Sequence, residues 1–380
     1  MDFKLTEEQL MLQETAARLV RDVYGFERRE HYRQSQQGFS APFMHQLGEL
    51  GLCAVSFAEA YGGYGGTGVE NMLIMTELGR GLCLEPYLQS VIFAGGLVAQ
   101  LGSEAQKDTL LPQVGNASLQ LAVALDEPQS HYRLNDVQTR AEPVAGGWKL
   151  SGRKSVIIGG QSAGLILVSA RTSHGIRDEQ GISLFLLDPQ AAGVRRRDFA
   201  TMDGRKACEL YLEDVFVERG KLLGEPGQAF AALRYQQGRC IAAQCAEAVG
   251  SMAAACALTL DYLKTRQQFG QPIGKFQALQ HRMVDMRIEL DQATSMTLLA
   301  ACVADQADSD ERSRILAAAK FIVSRASRFV ADQAIQLHGG IGLTWEYMLS
   351  HHAKQLLMVA RQMGDDDHHL QAYAKLMQVA

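Results

Sequence analysis

Apolar positions in the first third of the chain recur at helical spacing. Leu10, Leu12, Ala16, Leu19, Val20 and Val23 mark one face, and Thr6 with Gln9 has capping-box spacing at its start. Ser40 is placed to cap a second helix that ends before Gly51. A glycine cluster, Gly62 to Gly68, precedes an apolar helix near Val69–Gly79, and Gly102 and Pro112 bound a shorter one. Near Leu119 the pattern changes. Trp148–Leu150, Ser155–Ile158, Leu165–Ala170, Ile182–Leu187 and Cys208–Val217 are short β-rich runs, punctuated by Gly146-Gly147, Gly159-Gly160 and Asp188-Pro189. They predict a small antiparallel sandwich or barrel. From Ala229 the helical period returns. Long helices are predicted over Phe230–Arg266, Gln277–Ala304 and Arg312–His338, the last stopped by Gly339-Gly340, with a final helix near Tyr347–Met363.

This order predicts an α+β, mainly α chain in three regions: 1–118 helical, 119–225 β, and 226–380 a helical bundle. A length of 380 residues fits two or three domains. Hydrophobic residues at 47% and charged residues at 21% describe a globular chain, not a disordered one. The formal charge is −5 (37 basic against 42 acidic residues) with no long basic run, which disfavours a nucleic-acid surface. No run approaches ~18 consecutive apolar residues, so no membrane span is expected. Met1-Asp2-Phe3-Lys4 lacks the apolar run of a secretory leader. Seven cysteines without a CxxC pair read as reduced thiols, so a cytoplasmic location is expected.

Several motifs invite chemistry. Gly63-Tyr-Gly65-Gly-Thr-Gly68 matches a dinucleotide pattern but follows no predicted strand, so it reads as a glycine turn. His351-His352 and His368-His369 are adjacent pairs. Neighbours on a helix point ~100° apart, so they read as structural and no metal is expected. The sharper signals are Tyr262-Leu-Lys-Thr-Arg266-Gln-Gln-Phe269-Gly270-Gln-Pro272-Ile273-Gly-Lys-Phe276-Gln277, between two helices, and Gln336-Leu-His-Gly339-Gly340-Ile-Gly342, at a helix end. A glycine pair lets a ligand approach the backbone closely. Arg266 offers a fork of donors suited to a diphosphate.

Together with Gly62-Gly63, Glu77-Leu-Gly-Arg80, Gly102, Gln106-Lys107 and Glu127-Pro128, these motifs make nearly the whole chain resemble the acyl-CoA dehydrogenase family. The resemblance implies the family fold: an N-terminal helical domain, a middle β domain and a C-terminal four-helix bundle. It implies FAD, a homo- or hetero-oligomer such as a tetramer, and an electron-transfer flavoprotein as acceptor. It implies α,β-dehydrogenation of an acyl-CoA thioester, with a carboxylate taking the α proton and the flavin N5 a β hydride. By the same resemblance Arg266, Phe269 and Gln277 contact the ADP part of a neighbouring subunit's FAD, and Gln336, Gly339 and Gly340 complete that pocket.

The chain also departs from the family. The register of the family's catalytic Glu falls on Met363, followed by Gly364 and Asp365; the alternative register, on the first bundle helix, falls on Cys240. Glu247 lies on the same predicted helix as Cys240, about 20° from alignment with it and among small apolar neighbours, and is the candidate base. Asp365 and Asp366 are the alternatives. Gln129 to Asn135 replaces a small polar segment, Asp126 an expected threonine, and Ile157-Ile158 part of a flavin-supporting pattern. Tyr132, Arg133 and Arg239 become substrate-binding candidates, since arginine offers bidentate donors to a carboxylate or phosphate. Residues serving a neighbour's FAD are kept while those serving the chain's own site are altered. That resembles the smaller subunits of heterotetrameric members, such as the pimeloyl-CoA type. A non-catalytic partner subunit and a flavin oxidase or monooxygenase of the same fold are the rival readings.

Overall fold

The structure is a computed structural model and describes residues 4–378. Its helices are α1 (Glu7–Val23), α2 (Phe26–Gln34), α3 (Ala41–Glu49), α4 (Gly68–Arg80), a π-helix Leu88–Gly95 running into α5 (Gly96–Leu101), and α6 (Glu104–Gly115). Strands β1 (Leu121–Ala124), β2 (Arg140–Val144), β3 (Gly147–Ile158), β4 (Leu165–Arg171), β5 (Ile182–Leu187), β6 (Val194–Ala200), β7 (Lys206–Glu218) and β8 (Leu222–Leu223) follow. The last part holds α7 (Phe230–Thr265), the short strands β9 (Gln267–Gln268) and β10 (Gln271–Pro272), α8 (Gln277–Val303), α9 (Asp310–His338), α10 (Met348–Val359) and α11 (Asp366–Gln378).

The chain forms two compact units. One gathers residues up to 31, 67–83 and 241 onward; the other holds 32–66 and 84–240. The helical unit is built around α7, α8, α9 and α10. Cys245, Met252, Met286, Leu290, Val323, Val330, Leu349 and Leu356 form its core. Its α7 is apolar and long enough to cross a membrane by length and composition alone, yet every residue from 241 to 252 is buried, as in a core helix. The expected capping box at α1 is present: the Gln9 N–H donates to Thr6 Oγ1 at 3.2 Å and the Thr6 N–H to Gln9 Oε1 at 3.0 Å.

The second unit carries an eight-stranded sheet in the order β6-β7-β3-β2-β4-β5-β8, with β1 beside β4. Leu150, Ile157, Ile166, Val168, Phe185, Cys208 and Leu210 fill its core. The β1–β4 and β2–β4 pairings are parallel, so the sheet is mixed and not purely antiparallel. Periodicity missed α2, the helical stretch Leu88–Leu101, α11 and the strands β1, β2, β6, β8, β9 and β10. The expected helix end at Pro112 is corrected: α6 continues to Gly115, since an internal proline costs one backbone bond without ending the helix here. The expected single helix over Tyr347–Met363 is also corrected. It stops at Val359, and α11 begins at Asp366.

Candidate active site

The Arg266–Gln277 segment is a tight hairpin. Gln268 pairs with Gln271, and the two loop residues, Phe269 at φ 53° and Gly270 at φ 78°, are both left-handed. A two-residue loop needs that geometry to match strand twist. It pushes Phe269 into solvent, 90% exposed. Arg266 is exposed, its N–H bonded to the Tyr262 carbonyl at 2.8 Å, and the exposed Gln277 opens α8.

At the end of α9, Gln336 is exposed and Gly339 adopts φ 63°, ψ −142°, a conformation that only glycine holds readily. A Cβ on Gly339 or Gly340 would meet nothing within 4 Å, so this backbone faces open space. Tyr262 stacks on His338 at 4.4 Å between ring centroids, which brings the hairpin and the glycine turn together on one unit. An arginine fork, two amides and bare glycine backbone fit the ADP portion of FAD. All six candidates are exposed, as contact with a group held by another molecule requires.

Glu247 is different. It is 2% exposed, and its carboxylate accepts from Gln355 Nε2 of α10 at 2.9 Å. Lys320 on α9 is fully buried and donates to the Val359 carbonyl. Burial pulls its ammonium down to about 8, against the opposing fields of Cys245, Glu247, Asp365 and Asp366. Asp365 accepts from the His368 N–H at 2.9 Å and lies 3.7 Å from Arg361 Nη1. It therefore caps α11. Asp366 begins that helix, 3.6 Å from Arg328 Nη2. The acidic run from Asp365 is a helix start, where carboxylates suit the dipole. Cys240 is buried, and desolvation raises its thiol well above the ordinary value, so it is no base.

In the sheet unit, Glu127 is the hub. Its Oε1 accepts from Lys154 Nζ at 2.7 Å and from the Thr139 N–H at 3.0 Å; its Oε2 accepts from the Gln138 N–H at 2.8 Å and from Gln129 Nε2 at 2.9 Å. This pins the loop that carries Tyr132 and Arg133. His131 at φ 44° and Tyr132 at φ 69° are both left-handed there, and Arg133 is exposed. Arg239 donates instead to Gln236 Oε1 at 3.2 Å, in the sheet unit's part of α7. Val156 had no sequence signal. It lies in a register shift of β3 against β7, at φ 52° and 50% exposed. A β-branched residue in that region is strained, and such strain concentrates at working sites.

His351 and His352 turn to different partners, whereas the His368 and His369 rings meet edge to face at 5.1 Å. His351 Nε2 meets the Trp345 carbonyl at 2.8 Å, while His352 Nδ1 meets Ser251 Oγ at 2.9 Å. His369 Nε2 meets the Met363 carbonyl at 2.8 Å. Among the described residues no cluster of His, Cys, Asp or Glu could hold a metal. Burial drives His352 down to about 3 and His369 down to about 4. Both fold as neutral rings, so the unfolded chain binds more protons once the pH drops below ~6.5. Their contribution is complete above ~6.5 and is lost as the pH falls toward the folded values, at roughly 2 kcal/mol per ring between pH 7 and 5. Thermal melts at pH 7, 6 and 5 should therefore shift down by several degrees; an unchanged melt contradicts the neutral buried rings.

The comparisons with known proteins bear on the family and the fold. Residues 6–117 match the acyl-CoA dehydrogenase N-terminal domain, 122–215 the middle domain and 231–377 the C-terminal domain. The chain is 32% identical over 354 residues to the probable acyl-CoA dehydrogenase YngJ of Bacillus subtilis, covering 91% of this chain and 92% of the relative. Its structure resembles butyryl-CoA dehydrogenase from Megasphaera elsdenii with a TM-score of 0.91, 25% identity and 100% coverage of both chains. It also resembles a variant of the Tcur3481-Tcur3483 steroid ACAD, with a TM-score of 0.88, 29% identity and 98% coverage of each chain. With its three domains matched in order along a chain of this fold, the protein belongs to the acyl-CoA dehydrogenase family.

Proposed function

We propose that this chain carries out FAD-dependent α,β-dehydrogenation of an acyl-CoA thioester, alone or as one subunit of a hetero-oligomer, with Glu247 as the base. The exposed surface formed by the Arg266 hairpin and the Gly339-Gly340 turn carries the reading, because it offers a neighbour's FAD charge, amides and bare backbone. FAD, when bound, accepts the β hydrogen as a hydride. Glu247 accepts the α proton on its carboxylate. The Gln355 amide donates to that carboxylate at 2.9 Å and orients it. Tyr132, Arg133 and Arg239 take the polar parts of the substrate. An oligomer, tetrameric by preference, an electron-transfer flavoprotein as acceptor and a cytoplasmic setting complete the reading.

A second reading, a partner subunit that completes FAD sites on a sister chain, is favoured by one observation. Met363 stands at the family's base register, while Asp365 and Asp366 are engaged at the start of α11. The substitution Glu247→Gln decides between them. Its expected result is a loss of turnover of ~10²–10⁴-fold with the flavin absorbance retained. Turnover that survives removes Glu247 as base, and a chain that is colourless until a sister subunit is co-expressed supports the partner reading.

A further inference from the structure

His338 has no part in the chemistry above, yet it sits between the two halves of the ADP-facing surface. It is 3% exposed and immediately precedes Gly339. Tyr262 lies nearly parallel to its ring, at 4.4 Å and 24°, and Tyr347 closes on it at 5.3 Å and 51°. Its Nδ1 is 2.8 Å from the Ala334 carbonyl and its Nε2 is 3.2 Å from the Tyr347 hydroxyl. The Ala334 carbonyl only accepts, so Nδ1 donates to it, and the Leu258 backbone is a further partner of the ring. Each contact leads to a piece of the surface. The Tyr262 carbonyl holds the Arg266 N–H, and the Arg266 carbonyl in turn holds the Ile273 N–H at 2.9 Å. On the other side, a Cβ on Gly342 would meet His338 Cβ at 3.0 Å, so the turn after the glycine pair is built against the same residue.

We propose that His338 is a positioning residue that fixes the Arg266 hairpin and the Gly339-Gly340 turn in one geometry, so that both grip a single ADP group without prior rearrangement. The proposal rests on the reading that this surface serves FAD. Exposed groups on two separate segments otherwise lose conformational freedom when a ligand orders them, and holding them beforehand removes that cost.

The test measures FAD affinity, by flavin fluorescence on release from the holoenzyme and on reconstitution, together with the melting temperature. His338→Phe keeps a ring in the stack and removes its hydrogen bonds. Tyr347→Phe removes only the hydroxyl at a half-buried position, so its folding is not at issue. Each should weaken FAD binding about 5- to 10-fold, the scale of one to two lost hydrogen bonds. His338→Gln, which keeps a donor and an acceptor, should recover most of the loss. In an Arg266→Ala background, His338→Phe should add less than about 2-fold, because the group it positions is gone. Full additivity there, or unchanged affinity in both single variants while Arg266→Ala weakens binding, overturns the role of His338 alone. If Arg266→Ala and Gly339→Ala also bind FAD as the wild type does, the reading of the surface itself falls.

Discussion

Gly250→Ala is expected to abolish cooperative folding of the helical unit. Gly250 on α7 and Gly79 on α4 face each other's backbones. A Cβ on Gly250 would overlap the Thr76 carbonyl and lie 2.8 Å from the Arg80 nitrogen, and a Cβ on Gly79 would overlap the Glu247 carbonyl. The obstacles are main-chain atoms, so no rotamer relieves them and α7 must back away from α4. That displaces the helix carrying Ala248, Val249 and Met252 of the core, the Glu247–Gln355 bond and the Ser251–His352 bond. Overpacking costs ~1–3 kcal/mol when side chains can yield, and a backbone collision exceeds that range. Against a total stability of ~5–15 kcal/mol, the loss is expected to empty the soluble fraction or collapse the melt. Gly25→Ala is the control, since its added methyl meets nothing within 4 Å and should leave the melt within about a degree. A Gly250→Ala protein that melts like the wild type contradicts the close crossing.

The same pair of helices shows what the sequence discloses and what it hides. The repeat length of α7 and the glycine stop of α9 are local, and both are readable along the chain. The hairpin between α7 and α8 is not read: Gly270 is its one trace in the sequence, and the left-handed Phe269 beside it has none. The partner of Glu247 is not readable either. Gln355 lies 108 positions away, and no periodicity announces that its amide meets the carboxylate. Lys320 sits in an ordinary helical pattern and gives no sign of full burial. The role of the acidic run at Asp365 is hidden for a physical reason: carboxylates suit both a solvated turn and a helix start, and the His368 N–H at 2.9 Å distinguishes them. Val156 is invisible for the opposite reason. A valine predicts regular strand, and the bulge sets its backbone against that preference. The first third is shared between both compact units, which depends on contacts between distant positions and not on helix content.

Lys154→Met is expected to destabilise the sheet unit by ~3–5 kcal/mol, the cost of leaving one partner of a buried ion pair behind. Lys154 is fully buried and Glu127 is 4% exposed, so solvent cannot replace the lost partner. In the wild type, burial favours the protonated Glu127, but Lys154 and the surrounding amides override it and hold the carboxyl below its ordinary range. Without the ammonium, burial dominates and the folded-state pKa of Glu127 rises above its unfolded value. A raised carboxyl favours the folded state only while protonated, so the variant should gain stability as the pH falls from 8 to 5. The acid-sensitive histidines run the other way in the helical unit, so the signal is read on a probe in the sheet, such as Trp148 fluorescence. The double variant Lys154→Met with Glu127→Gln should recover much of the loss, since it removes the stranded charge. Function follows through the loop. Glu127 accepts the Gln138 and Thr139 N–H groups that close the segment bearing Tyr132 and Arg133. Lys154→Met is therefore expected to raise KM for acyl-CoA more than it lowers kcat, because Glu247, the proposed base, belongs to the other unit. Equal loss in both parameters, or a melt that is insensitive to pH between 8 and 5, contradicts a loop held by this pair.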